Sequence, residues 1–348
     1  MPLLNFGAMP GGAIGNELVV ATRRAVQPAV VVQIGKASVL TTAMLASAEP
    51  VKGGVSPITV PLQGTRMVSG AWTDYSGSGQ APQILPGLLN AEYNLAAFVV
   101  FIPYFMFEGL TQEDAEIVPI MWARMNDSGN YVSDQLSLAM WAAQSANTAL
   151  MPFALKDIIS TTNPTQGNVG NIDRTVTANA FWKANSATIT SIATGTTTWT
   201  RLNVLAAIQY AQKNSGGEPP SCVIVAPGAW AALAGDAIGA ERYLVDKDGS
   251  YADAGEGASV GFPAINIAGV PVYADLYETV ATEALMPNFN YLNTKIHQDA
   301  AFALAGPESL LPQYQLGYVM ALFVLLATVC SKSNAQSVVT GFSGQYTI

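Results

Sequence analysis

One histidine, His297, and two cysteines, Cys222 and Cys330, are all that this chain of 348 residues offers in imidazole and thiol chemistry. That shortage excludes most of the proton transfer and metal ligation that histidine and cysteine usually carry. No CxxC pair, zinc spacing or cysteine–histidine cluster is present. Both cysteines lie in apolar surroundings, which reads as buried structural thiols and leaves a disulfide between them open. Nothing in such sparse usage points to an oxidising compartment.

Charge is scarce as well. Only 11% of the residues are charged, against ~25% in typical soluble domains. Asp and Glu number 24 against 15 Lys and Arg, for a formal net charge of −9. With no basic field to grip phosphates, a conventional DNA- or RNA-binding protein is excluded, though a container that merely encloses nucleic acid is not.

Long hydrophobic runs are missing too. The two most apolar segments, residues 95–107 and 319–330, fall short of the ~20 residues a spanning helix needs, and Pro103 interrupts the first. Val, Phe, Ile and Tyr dominate both, so they predict buried strands rather than a membrane element. The opening Met-Pro-Leu-Leu-Asn-Phe-Gly lacks the basic stretch of a secretory signal.

What is present is apolar surface. Half of the residues are hydrophobic and the mean hydropathy is +0.29. Identical neighbours are the simplest cover for such a chain.

No catalytic constellation emerges. His297, in Lys-Ile-His-Gln-Asp at 295–299, alternates with apolar neighbours as a strand residue would, and no GxSxG accompanies it. The glycines at 255–261 have the wrong spacing for a dinucleotide loop and follow no strand. Asp246, Asp248 and Asp253 depart from the EF-hand spacing, since Gly249 falls fourth and Glu256 eleventh, and read as a solvated loop. Glu113, Asp114 and Glu116 read as a helix start favoured by the macrodipole. Catalytic, cofactor and metal residues are therefore expected to be none, and the chain is not expected to be an enzyme.

The element order is more informative. Residues 1–48 are Gly-, Ala- and Val-rich and read as an extended arm without its own core. Residues 58–62 read as a strand returning from Tyr93 onward, with 64–87 forming a long projecting hairpin that should lie on a neighbour. A helix is predicted from about 111, N-capped by Thr111, to about 148, with Pro119 and Gly129 expected to kink or interrupt it. Loops and short strands are expected over 160–200. An amphipathic helix follows at 199–213, with Leu202, Leu205, Ala206 and Gln209 on the repeating face and 214–217 as its stop. Then come a strand at 221–226, a short helix at 228–235 opened by Pro227, a strand with a turn at 265–273, and strands at 300–304 and 316–330. The fold class is α+β.

This order resembles the major capsid (coat) proteins of tailed phages, the Hong Kong 97-type fold. The resemblance rests on Leu-Thr-Gln-Glu-Asp at 110–114 before the long helix, Gly-Asn-Ile-Asp-Arg at 170–174 followed by Phe-Trp-Lys at 181–183, the run from Gly216 to Leu233 in which a strand delivers a Pro-x-x-Trp helix, and Ile-Ala-Gly-Val-Pro-Val-Tyr-Ala-Asp at 267–275.

The resemblance implies an N-terminal arm at 1–48 and an extended E-loop hairpin at 49–93. A peripheral P-domain would take 94–190, with its spine helix at about 111–148, and the returning strands at 305–348. An axial A-domain would occupy 191–304. It further implies self-assembly into pentamers and hexamers of an icosahedral shell around double-stranded DNA, within a virion assembled in the host cytoplasm. Expected partners are other copies, a portal protein, a separate scaffolding or decoration protein, and DNA enclosed without sequence-specific contacts, with no membrane.

Two departures shape the expectations. No charged coiled-coil scaffold segment precedes the arm, so scaffolding is expected from a separate protein or not at all. Between 53 and 93 there is no lysine, only Arg66, so no lysine–asparagine cross-link to a neighbour is expected. Arg23 and Arg24 could touch DNA or pair with a neighbour's acid. An encapsulin-like compartment shares the fold and remains an alternative, ahead of another virion structural protein.

Overall fold

A computed structural model describes residues 38–52, 57–64, 88–105, 114–141, 152–164, 167–193, 195–241, 264–309 and 317–346. In chain order the elements are α1 (Val39–Ala46), β1 (Glu49–Val51), β2 (Ile58–Gln63), β3 (Leu88–Tyr93), β4 (Ala96–Phe105), α2 (Asp114–Trp141), α3 (Leu155–Ile158), β5 (Asn185–Thr188), α4 (Ile189–Ile192), α5 (Arg201–Ser215), β6 (Val223–Val225), α6 (Pro227–Glu241), β7 (Ala264–Ile267), β8 (Val270–Ala274), β9 (Glu283–Met286), β10 (Leu292–His297), β11 (Ala303–Ser309), β12 (Gly317–Cys330) and β13 (Ser337–Thr340).

Two sheets organise them. In the first, β12 is the spine: β4 pairs antiparallel along one edge, while β11 and β10 share the other edge and β1 extends β10. The two apolar runs are therefore partners, in register from Gly317↔Phe105 to Leu326↔Ala96. Helix α2 covers one face of this sheet, packing Met125, Val132 and Leu136 against Ile102, Met320, Leu322 and Val324. The second sheet has the order β5-β13-β9-β6-β8-β7. Its core joins Val223, Val225, Val272 and Met286 to the buried stripe Val204, Ala207, Ile208 and Ala211 of α5. Strands β2 and β3 form a separate two-stranded ribbon.

Several expectations need correction. Part of the supposed arm is a docked helix: Ser38 caps α1, and Leu40 and Met44 enter the central core. The ribbon's return is β3, ending at Tyr93, and β4 then joins the first sheet instead. The described base of the ribbon also lies on its own chain. Ala91 and Tyr93 are buried, and Gly170, at φ +63, sits where an added Cβ would meet the Ala91 Cβ at 2.8 Å. A glycine at 170 thus answers both a left-handed backbone and a close approach. The hairpin tip and the capping segment at 106–113 lie outside the described residues.

Helix α2 runs unbroken through Pro119 and Gly129. Pro119 forfeits one bond, to the residue 115 carbonyl, and a single glycine costs only about 1 kcal/mol, losses that the rest of a 28-residue helix carries. Helix α6 reaches Glu241, beyond the expected 235. Helix α5 ends as expected, at Gly216 in the left-handed conformation, but it buries a different face. Leu202 is 76% exposed, while Asn203 turns inward and donates to the Thr196 and Thr198 carbonyls.

Candidate functional site

Reaction chemistry does not converge anywhere among the described residues. His297 closes β10, and its Nδ1 accepts the Asp299 N–H at 3.2 Å, the role of a turn cap. Cys222 and Cys330 are buried free thiols, each pushed up to about 12 by burial, which holds them protonated and unreactive. Among the described residues no three His, Cys, Asp or Glu side chains gather as metal ligands. Arg23, Arg24, Arg66, Glu113 and residues 242–263, with the acidic loop and its glycines, lie outside the described residues. No described helix is long and apolar enough to cross a membrane. A cleft of about 260 Å³ beside the ribbon base is lined by Glu92, Leu95, Phe153, Asn168, Asn171 and Thr328, without a nucleophile–base pair.

The buried polar groups instead hold elements together. Arg174 is fully buried. Its guanidinium donates to the carbonyls of Trp182, Asp157, Ser160 and Ile158 at 2.8–3.0 Å and to Ser333 Oγ at 3.1 Å. Asp275, at the end of β8, accepts from Ser38 Oγ at 2.5 Å and from the Leu40 and Tyr277 amides. Ser38 Oγ in turn accepts the Trp141 indole N–H at 3.1 Å. One carboxylate thereby ties α1 and the end of α2 to the second sheet.

A third cluster is sensitive to pH. Lys156 Nζ donates to Glu278 Oε1 at 2.9 Å and Glu283 Oε1 at 2.6 Å. Burial pushes the Glu278 carboxyl above the ordinary range, outweighing its attraction to Lys156. Burial acts to lower the Lys156 pKa, but the two carboxylates win and raise it. Because folding raises this pKa, the lysine's stabilisation is fully present below 10.5 and is lost as pH climbs through the raised value. Glu278 has the same sense at lower pH, since its pKa is raised too: folding favours its protonated form, and acid relieves the cluster. Lys156→Met should lower stability by about 3 kcal/mol near neutrality, because it strands a buried carboxylate. Thermal melts across pH should show this deficit shrinking in strong alkali and in acid; a deficit that is constant with pH contradicts the assignment.

Among the described residues, one unsatisfied feature is a surface. Opposite α2, the first sheet presents Ala97, Val99, Phe101, Pro103 and Phe105 of β4 beside Val319, Ala321, Phe323 and Leu325 of β12, with no polar side chain among them. Phe101 is 66% exposed and Val99 44%. Full burial of one such side chain is worth ~1.5–3 kcal/mol. An apolar face this continuous marks an interaction site rather than ordinary surface. Sequence reasoning identified the strands but could not tell which face the helix would leave open.

No protein-family model and no curated protein sequence matches the chain. Solved structures do. A chain of the cyanophage A-1(L) capsid asymmetric unit superposes with a TM-score of 0.61 at 10% identity, over 87% of this chain and 93% of that one. A capsid chain of the native GTA particle gives 0.51 at 14% identity, covering 87% and 91%. One from Microbacterium phage Oxtober96 gives 0.50 at 11%, covering 86% and 90%. At such identities the shared property is the fold. The chain has the α+β, Hong Kong 97-type fold of phage capsid structures.

Proposed function

We propose that this chain is a major capsid protein. Copies assemble as pentamers and hexamers into an icosahedral shell, the wall of a tailed-phage virion, around packaged double-stranded DNA. The observation that carries the reading is the open apolar face of β4 and β12 on a chain with a coat fold. A protomer alone leaves this face in water; closed symmetric packing of identical copies covers it.

In this reading residues 1–48 are the arm, anchored at its end by α1, and 49–93 the E-loop. Residues 94–190 with 305–348 make the P-domain around α2, and 191–304 the A-domain at the symmetry axes. Assembly takes place in the host cytoplasm, with a portal protein at one vertex and a separate scaffolding or decoration protein. The chain catalyses no reaction. Its net charge of −9 repels DNA phosphates, so the genome is held by enclosure.

Negative-stain microscopy of the purified protein tests the proposal: shells, or free hexamers and pentamers, are expected, and monodisperse monomers overturn it. Denatured shells should run on a gel as a single monomer band, since 53–93 contains no lysine. A covalent ladder contradicts that expectation.

A further inference from the structure

The ladder between β4 and β12 stops short of the ribbon, and the cleft of about 260 Å³ lies in the gap. Its last rung is Leu326↔Ala96; ahead of Ala96 the chain leaves the sheet through Leu95 and Asn94. Each strand residue directs both peptide groups to one side, and the side alternates along the chain. The Tyr104 carbonyl faces β12, since a Cβ added to Gly317 would lie 2.6 Å from it. Its partner Tyr318, and every second residue onward to Leu326, Thr328 and Cys330, therefore faces the β4 edge. Cys330 agrees with this count, because its carbonyl accepts the Tyr93 hydroxyl at 2.8 Å. Between that bond and the last rung, the N–H and C=O of Thr328 have no strand opposite them.

The Thr328 side chain lines the same cleft. The residue is 1% exposed, and its Oγ1 has no hydrogen-bond partner among the described residues. Thr294, opposite it on β10, does not supply one: its own Oγ1 is equally unpartnered. A buried hydroxyl left unpaired costs stability, so the cleft has a polar floor whose partner the chain itself does not provide.

We propose that this cleft binds a neutral polyol of pyranose size, a monosaccharide or the terminal sugar of a glycan. The lining sets the chemistry. Glu92 is its one charged residue, steadied by Asn171 Nδ2 at 3.5 Å, and a carboxylate without a cation beside it turns anions away. The Thr328 N–H and the side-chain amides of Asn94 and Asn168 are donors, which a bare cation would leave unsatisfied. Hydroxyl groups both donate and accept, and so answer the whole set. Leu95 and Phe153, the latter held edge-on to Tyr93 at 6.1 Å, offer an apolar wall to the C–H face of a sugar ring. The volume has room for more than a water, yet lies below the ~300–1,000 Å³ of drug-sized sites.

The purified chain, as particles and as free subunits, is titrated with methyl α-glucopyranoside, methyl β-galactopyranoside and N-acetylglucosamine, followed by saturation-transfer difference NMR. Saturable binding of at least one sugar by either form is expected. Thr328→Val should weaken it by about tenfold, since a sugar hydroxyl then loses its partner. Thr328→Ser, which keeps the hydroxyl, and Thr294→Val, outside the cleft, should retain it. Because Oγ1 is unpartnered within the fold, Thr328→Val should also melt no lower than the parent. A lower melt would show that the hydroxyl is already satisfied by the chain and overturns the assignment. Binding of no sugar by either form, or binding that Thr328→Val leaves unchanged, overturns it as well. None of these outcomes depends on whether shells form, so failure here leaves the shell reading standing.

Discussion

Replacing Arg174 with alanine should leave little or no folded chain. The guanidinium donates to carbonyls at 157–160 and 182 and to the Ser333 hydroxyl in the turn before β13, so it ties three segments together. Each buried acceptor left without a donor costs about 1–3 kcal/mol, and the vacated volume adds a cavity. Together these approach the whole stability of a typical domain, ~5–15 kcal/mol. Soluble yield and circular dichroism are the readouts. Arg174→Lys should be intermediate, because one ammonium has three donors where the planar fork offers five. A soluble alanine variant that melts like the parent would show that the hub is dispensable.

Asp275→Ala should have the next largest effect, confined to one region. The carboxylate satisfies the Ser38 hydroxyl and the Leu40 amide, and the Ser38 oxygen thus held receives the Trp141 indole. Hydrogen bonds to a charged group are worth ~1.5–3 kcal/mol each. A loss of about 3 kcal/mol corresponds to roughly a hundredfold rise in local opening of α1. Hydrogen exchange of the 39–46 amides should accelerate by that order, while the second sheet keeps most of its protection. Asp275→Asn should fall between, because one oxygen still accepts but the amide meets the Ser38 hydroxyl. Unchanged exchange at 39–46 would refute the latch.

These two residues also mark where the sequence was opaque. Arg174 and Asp275 entered the sequence reading only as members of longer motifs; buried charges are rare, and nothing local announces partners at Trp182, Ser333 or Ser38. The strands β4 and β12 were legible because β-branched and aromatic side chains crowd both runs. The stop of α5 was legible because glycine at 216 serves a left-handed turn. The face of α5 was not. Ranking leucine above alanine selected 202, 205, 206 and 209, whereas the helix buries 204, 207, 208 and 211. Both sets have the same period, and only the contacts of Asn203 and the packing of Ala207 and Ala211 decide between them. Helix α1 was missed because its apolar residues were assigned to partners outside the chain.

The pairing of β4 with β12 has a consequence for biosynthesis. About 210 residues separate the two strands in the chain, so at ~5–20 residues per second the ribosome completes β12 roughly 10–40 s after β4 emerges. Helix α2, translated immediately afterwards, can shield one side of the waiting strand, but the other side and both margins stay bare until β12 emerges. Nascent chains are most vulnerable to tangling with one another during that interval, and crowded polysomes would need holdase chaperones to bridge it.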